Sequence, residues 1–220
     1  MSPLSVNVAD SNPNLGVAAD LVRSDVYAYL SQAFSFPDAS LHAQVTEGSL
    51  VEHLAAALSR LPYRLKLSDL DWRAPAIFED MQTEYIRLFQ IGGRRGPPCS
   101  LHSGFYGRDR SRTLQHLIRF YNFFGFKLNE CVMPDQICVQ LDFMSILAKG
   151  DISDRDSVLR AQRDFLKGQL MWTATVAERV HACKPVPFYR SLASLTARLV
   201  QADRAFIERA ITAGATHERN

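Results

Sequence analysis

Cysteine is scarce in this 220-residue chain: the four present, Cys99, Cys131, Cys138 and Cys183, form no CxxC pair. Such a set offers no disulfide framework and reads as reduced thiols of a cytoplasmic protein. A surplus of either charge is missing too, since 25 basic residues face 23 acidic ones for a net charge of +2. Nucleic-acid binders draw much of their affinity from a basic surplus, so no nucleic-acid partner is expected. The opening MSPLSVNVADSNPNLGVAAD lacks the basic and apolar regions of a secretory signal. No apolar run approaches the roughly 18 residues of a membrane-spanning helix, so no membrane insertion is expected. Alternating runs, hairpin turns, repeats and low-complexity tracts are also absent, which leaves no basis for a sheet.

What is there is helical periodicity. DLVRSDVYAYLSQAF places Leu21, Val22, Tyr29, Leu30, Ala33 and Phe34 on one broad stripe, stopped by Pro37. SLVEHLAAALSRL forms a short helix ending before Pro62. APAIFEDMQTEYIRLFQIGG has Pro75 in its expected first turn and Phe78, Met81, Tyr85, Leu88 and Phe89 on one side. SRTLQHLIRFYNFFG follows with Leu114, Leu117, Ile118, Tyr121 and Phe124, and Gly125 suits the left-handed position after a helix. DQICVQLDFMSILAKG turns Ile137, Leu141, Met144 and Leu147 or Ala148 to one face. Ser153 is the expected cap of DRDSVLRAQRDFLKGQLMWTATVAERVHAC, the longest helical pattern, which Pro185 and Pro187 break. FYRSLASLTARLVQADRAFIERAI supplies a last helix. The expected fold is all-α: a single-domain helical bundle of roughly six to nine helices over residues 16–213. A flexible tail at 1–15 precedes it, and a long loop around residues 92–106 interrupts it. A chain of this length buries roughly 70% of its unfolded surface and needs neither disulfide nor metal to fold.

Chemistry would have to show in GGRRGPPCSLHSGFYGRDRSR, residues 92–112. A phosphate-cradling loop closes with Lys and Ser or Thr after a strand; here both are missing, and Pro97 and Pro98 remove two N–H donors. Cys99 and His102 have CxxH spacing, but Cys131 and Cys138 are seven residues apart and make no second tight zinc pair. The cysteines read as small, partly buried apolar side chains. None of the six histidines stands beside a nucleophile or a carboxylate pair, and no hydrolase, metalloprotease or dinucleotide motif occurs. No catalytic residue, metal site or enzymatic activity is therefore expected. Arg94, Arg95, Arg108, Arg110 and Arg112 read as a solvated basic face.

At separated points the chain resembles the TorD/DmsD/NarJ family of molybdoenzyme assembly chaperones. EYIRLFQIGGRRGPPCSLHSGFYG resembles that family's Tyr-x-x-Leu-Phe signature followed by a glycine and a double proline. FYNFFGFKLNECVMPDQICVQLDFMSILA is similar to its Phe-Tyr, Phe-Gly and Pro-Asp-His block. AQRDFLKGQLMWTATVAERVHACKPVPFYRSLASLTARLV resembles its closing region. The three blocks lie in order across about residues 20–205. Gln136 stands where that pattern has His, Asp142 replaces a Glu, and Gln169 replaces a His. The wording PPCSLHSGFYG is similar to the branch serving type II enzymes of the dimethyl-sulfoxide-reductase family.

The resemblance implies a cytoplasmic, non-catalytic partner of a molybdenum oxidoreductase. It would bind the catalytic subunit, or its twin-arginine signal peptide, while molybdopterin guanine dinucleotide is inserted into that client. It implies no cofactor held stably by this chain, GTP being the one nucleotide to consider, and either a monomer or a helix-swapped dimer. The bland alternative is a helical scaffold or regulator. A receptor for such a peptide needs oxygen acceptors for guanidinium groups and an apolar wall. The candidate binding residues are Tyr85, Phe89, Pro97, Pro98, Ser100, His102, Tyr106, Asp135 and Gln136. Tyr85 and Phe89 share one helix face and are core residues that also border the groove. Pro97 and Pro98 stiffen the loop. Asp135 is open to two roles, capping its helix or receiving a cation. Arg94 and Arg95 would repel a basic peptide and are expected to point away from it or to meet an acidic patch on the folded client.

Overall fold

Helix α1 (Pro13–Ala33) buries Val22, Val26, Tyr27 and Leu30 along α6 (Ile137–Lys149), which answers with Ile137, Leu141, Met144 and Leu147. This pair is the spine of the computed structural model, which describes residues 13–94, 96–129, 132–150 and 154–217. The expected tail up to Asn12, together with Arg95, Cys131 and Ser153, lies outside those residues. Helix α3 (Ser49–Ser59) packs on α1, α2 (Ala39–Thr46) packs on α3, and α4 (Phe78–Tyr85) runs into a π-helical turn at Ile86–Gln90. The loop follows, with one 3-10 turn at Ser103–Phe105. Helices α5 (Arg110–Phe123), α6 and α7 (Arg155–Phe165) then lead into α8 (Thr173–Ala182), and α9 (Pro187–His217) packs across α7 and α8. Among the described residues there is no strand, and one apolar cluster joins all the helices. The expected all-α bundle is what forms.

Several local expectations change. α1 begins at Pro13, before the expected boundary at residue 16. Pro75 precedes α4, which starts at Phe78; the Pro75 carbonyl instead meets His42 Nε2 at 3.0 Å. Helix α2 escaped the periodicity reading because it is one short segment, opened by the Asp38 carboxylate accepting from Leu41 N at 2.7 Å. Leu21 and Ile118, expected on apolar faces, are exposed. The longest helix is α9, not the 154–183 segment, which is divided by a π turn at Leu166–Leu170 and a bend at Met171-Trp172. Gly168 weakens that stretch. The bend is fixed by Trp172 Nε1, which donates to the Gln169 carbonyl at 2.7 Å. Asp154 caps α7 through its carboxylate. Gly125 takes the expected left-handed conformation, φ +70°.

A buried ionic knot fastens the spine to α9. Arg23 and Asp203 are both fully buried and bonded in a two-pronged pair, with Arg23 Nη2 to Asp203 Oδ2 at 2.9 Å. Arg23 also donates to Gln162 Oε1 at 2.7 Å, and the hydroxyls of Tyr27 and Tyr63 donate to Asp203 at 2.8 and 2.9 Å. Every carboxylate oxygen thus has donors, the condition under which a buried ion pair is tolerable.

Candidate functional site

The site grows from the start of α6. Gln136 occupies the N-cap position without a side-chain cap bond, so Asp135 does not cap this helix. Its fully buried carboxylate turns the other way, into the loop: Oδ1 lies 3.0 Å from His102 Nδ1, and Oδ2 accepts from Gly104 N at 3.2 Å. Backbone bonds complete the seam, with Ser103 N donating to the Asp135 carbonyl and Ile137 N to the Leu101 carbonyl, both at 2.8 Å. His102 and Gln136 form a one-residue antiparallel bridge there. Burial would raise the Asp135 carboxyl; the His102 contact, the Gly104 N–H and the Arg110 guanidinium outweigh it and hold it below the usual carboxylate range. Arg110 is the loosest of these partners, its Nε 3.9 Å from Oδ2 and its side chain 58% exposed.

A second row stands behind the first. Gln140, buried on α6, donates to Ser103 Oγ at 2.8 Å and accepts from Trp172 Nε1 at 3.0 Å. The Trp172 ring stacks on Tyr106, centroids 5.2 Å apart, and the Tyr106 hydroxyl donates to the Ser100 carbonyl at 2.8 Å. Arg179 lies over the Tyr106 ring, 4.8 Å from its centroid, a cation–π position. Gly104 has no room for a side chain: a Cβ would sit 2.6 Å from Arg110 Cγ and 2.9 Å from Asp135 Oδ2. The result is a corner with a buried carboxylate, a half-buried imidazole, and a shelf of Phe105, Tyr106 and Trp172 under Arg179.

The sequence-expected residues divide between this corner and the core. His102, Tyr106, Asp135 and Gln136 meet at the seam, and buried Ser100 supports it from below. Pro97 is half-buried, and Pro98 just after it is exposed. Tyr85 and Phe89 are in the core: the Tyr85 hydroxyl donates to the Phe34 carbonyl at 2.9 Å, and both rings pack edge-on against Tyr189. Arg94 is exposed, as expected. Sequence reasoning did not single out Gly104, Gln140, Trp172 or Arg179, and it read Arg110, which reaches Asp135, as part of a solvated basic face. Trp172 could have been found, since it is one of only two tryptophans and sits beside the Gln169 departure.

A separate groove of about 880 Å³ runs between α5 and α7, lined by Phe120, Phe123, Phe124, Val158 and Ala161. It shares no residue with the corner and holds none of the expected site residues.

The profile of the family described as nitrate reductase delta subunit matches residues 39–178. The chlorate reductase assembly chaperone protein of Ideonella dechloratans is 32% identical over 167 residues, covering 71% of this chain and 75% of its own. The selenate reductase assembly chaperone protein of Thauera selenatis is 30% identical over 191 residues, covering 81% and 86%. The perchlorate reductase assembly chaperone protein of Dechloromonas aromatica is 30% identical over 200 residues, covering 83% and 88%. Among solved structures, a protein from Archaeoglobus fulgidus described as a redox enzyme maturation protein aligns with a TM-score of 0.50 at 19% identity, over 81% of this chain and 93% of that one. That last likeness concerns the fold alone.

Proposed function

The chain belongs to the family described as nitrate reductase delta subunit, and on that footing we propose that it is an assembly chaperone for the catalytic subunit of a molybdenum oxidoreductase. The observation that carries this reading is the similarity, over most of the chain, to chaperones of three oxyanion reductases. It agrees with the branch that the wording PPCSLHSGFYG suggested. The protein acts in the cytoplasm, without catalysis, by holding an immature subunit. No helix among the described residues is long and apolar enough to cross a membrane.

The loop–α6 corner is the proposed contact surface. A client segment carrying arginine displaces Arg110 from Asp135, the only partner of that carboxylate that is both exposed and distant. The apolar part of the segment lies on Phe105, Tyr106 and Trp172. A guanidinium gains more than an ammonium in that position, because it presents two parallel N–H donors to a carboxylate. Molybdopterin guanine dinucleotide belongs to the client, and this chain holds no cofactor stably; saturable binding of labelled GTP would revise that point.

The test is a tagged pull-down from the native host under anaerobic respiratory growth, with mass spectrometry and molybdenum analysis of the eluate. Enrichment of one molybdenum-free catalytic subunit is expected. Absence of any such subunit, even after crosslinking, contradicts the chaperone reading and leaves a helical scaffold.

A further inference from the structure

The loop that carries the corner is held at its other end by two thiols. Cys99 Sγ lies 3.7 Å from Cys183 Sγ, across 84 positions of sequence. Cys99 is fully buried, whereas Cys183 is half-buried at the C-cap of α8, where the chain reverses through Lys184 at φ +49°. One short segment fixes both backbones. Cys99 N donates to the Leu88 carbonyl at 3.0 Å, and Arg87 reaches the Cys183 carbonyl at 3.4 Å while paired with Glu84. Glu84 Oε1 in turn accepts from Val186 N at 3.0 Å, clamping the turn after Cys183. The sulfurs are therefore brought together by contacts neither thiol makes, and little conformational freedom remains to be lost on joining them. Of the two remaining cysteines, Cys138 lies on α6, and Cys131 lies outside the described residues.

We propose that Cys99 and Cys183 are a dithiol site that closes to a disulfide by exchange with a low-molecular-weight disulfide. Cys183 is the entry point because it is the more accessible of the two. Its thiolate attacks one sulfur of the oxidant, forming a mixed disulfide and releasing one thiolate. Cys99 then gives its proton to solvent and attacks the Cys183 sulfur, releasing the second. The protein thus loses two hydrogens, and the oxidant is reduced to two thiols. Burial beside Cys183 pushes the Cys99 thiol above its ordinary range, which suits a resolving thiol that stays unreactive until its partner is loaded. Arg87 and Arg179 lie beside the pair and, with exposed Lys184 next to Cys183, favour an anionic oxidant. Closure bolts the loop to the α8–α9 turn; its bearing on client capture rests on the chaperone reading, but closure itself does not.

The reduced full chain carrying Cys131→Ser and Cys138→Ser is treated with oxidised glutathione, alkylated, and weighed intact before peptide mapping. The expected product is a linked Cys99–Cys183 peptide pair, a mass lowered by two hydrogens, and no retained glutathione. With Cys99→Ser added, one glutathione stays on Cys183, because nothing resolves it. A chain with both native thiols that keeps glutathione on Cys183, or that alkylates fully at both cysteines after the oxidant, overturns the proposal.

Discussion

His102 Nδ1 stands 3.0 Å from Asp135 Oδ1, joining the tip of the loop to the residues just ahead of α6 across 33 positions of sequence. The contact is a pin on the inside of the corner. Asp135→Ala removes an acceptor from His102 and from the Gly104 N–H together, and is expected to cost about 2–3 kcal/mol. Chemical denaturation with far-UV circular dichroism checks this: helicity should stay near wild type while the midpoint falls.

The acid limb of stability carries the same signature. A carboxyl whose folded pKa is depressed stabilises the fold above its unfolded pKa, about 3.9, and that contribution fades as pH falls through the folded value. Wild type should therefore lose stability below about pH 4 more steeply than Asp135→Asn does. Thermal midpoints across that range give the comparison, and parallel curves would count against the assignment.

Gly104→Ala tests the packing of the seam without touching a charge. Its Cβ would meet both Arg110 and Asp135, so the 3-10 turn must lift away. A loss of about 1–3 kcal/mol is expected, with faster amide exchange confined to the loop and the first turn of α6.

Arg23→Met separates fold from site. It leaves Asp203 buried without its cation, for an expected loss of about 3–5 kcal/mol. Below its lowered melting point the variant should still capture the client, because the knot lies apart from the corner. Tyr85→Ala should resemble this variant more than an Asp135 variant, since Tyr85 is a core ring bonded to Phe34.

Arg110→Ala removes the cation that the client must displace. Affinity for an arginine-bearing client peptide should rise about tenfold, or ~1.4 kcal/mol, and the gain should vanish in Arg110→Ala with Asp135→Asn. Calorimetric titration of both variants decides it.

The helices were legible because their apolar faces repeat at helical spacing: Ile137, Leu141, Met144 and Leu147 on α6 are buried as that spacing predicts, although Val139, Gln140 and Phe143 are buried beside them. The corner was half legible. His102, Tyr106, Asp135 and Gln136 stood out through the resemblance, yet the direction of the Asp135 carboxylate could not be read. It depends on a loop folding back, and a carboxylate ahead of a helix looks the same as a cap. Gly104 and Gln140 carry no sequence signal of their own, since each matters only through the atoms beside it. Tyr85 and Phe89 were placed on the right face, but that face points into the core. The ionic knot joins Arg23 to Asp203 across 180 positions, a separation that periodicity does not register.

The most direct measurement is hydrogen–deuterium exchange of the purified chain with and without its captured catalytic subunit. The account predicts protection in the loop at 99–110, at the start of α6 and around Trp172 and Arg179. Protection confined to the groove between α5 and α7, or none at the loop, would contradict it.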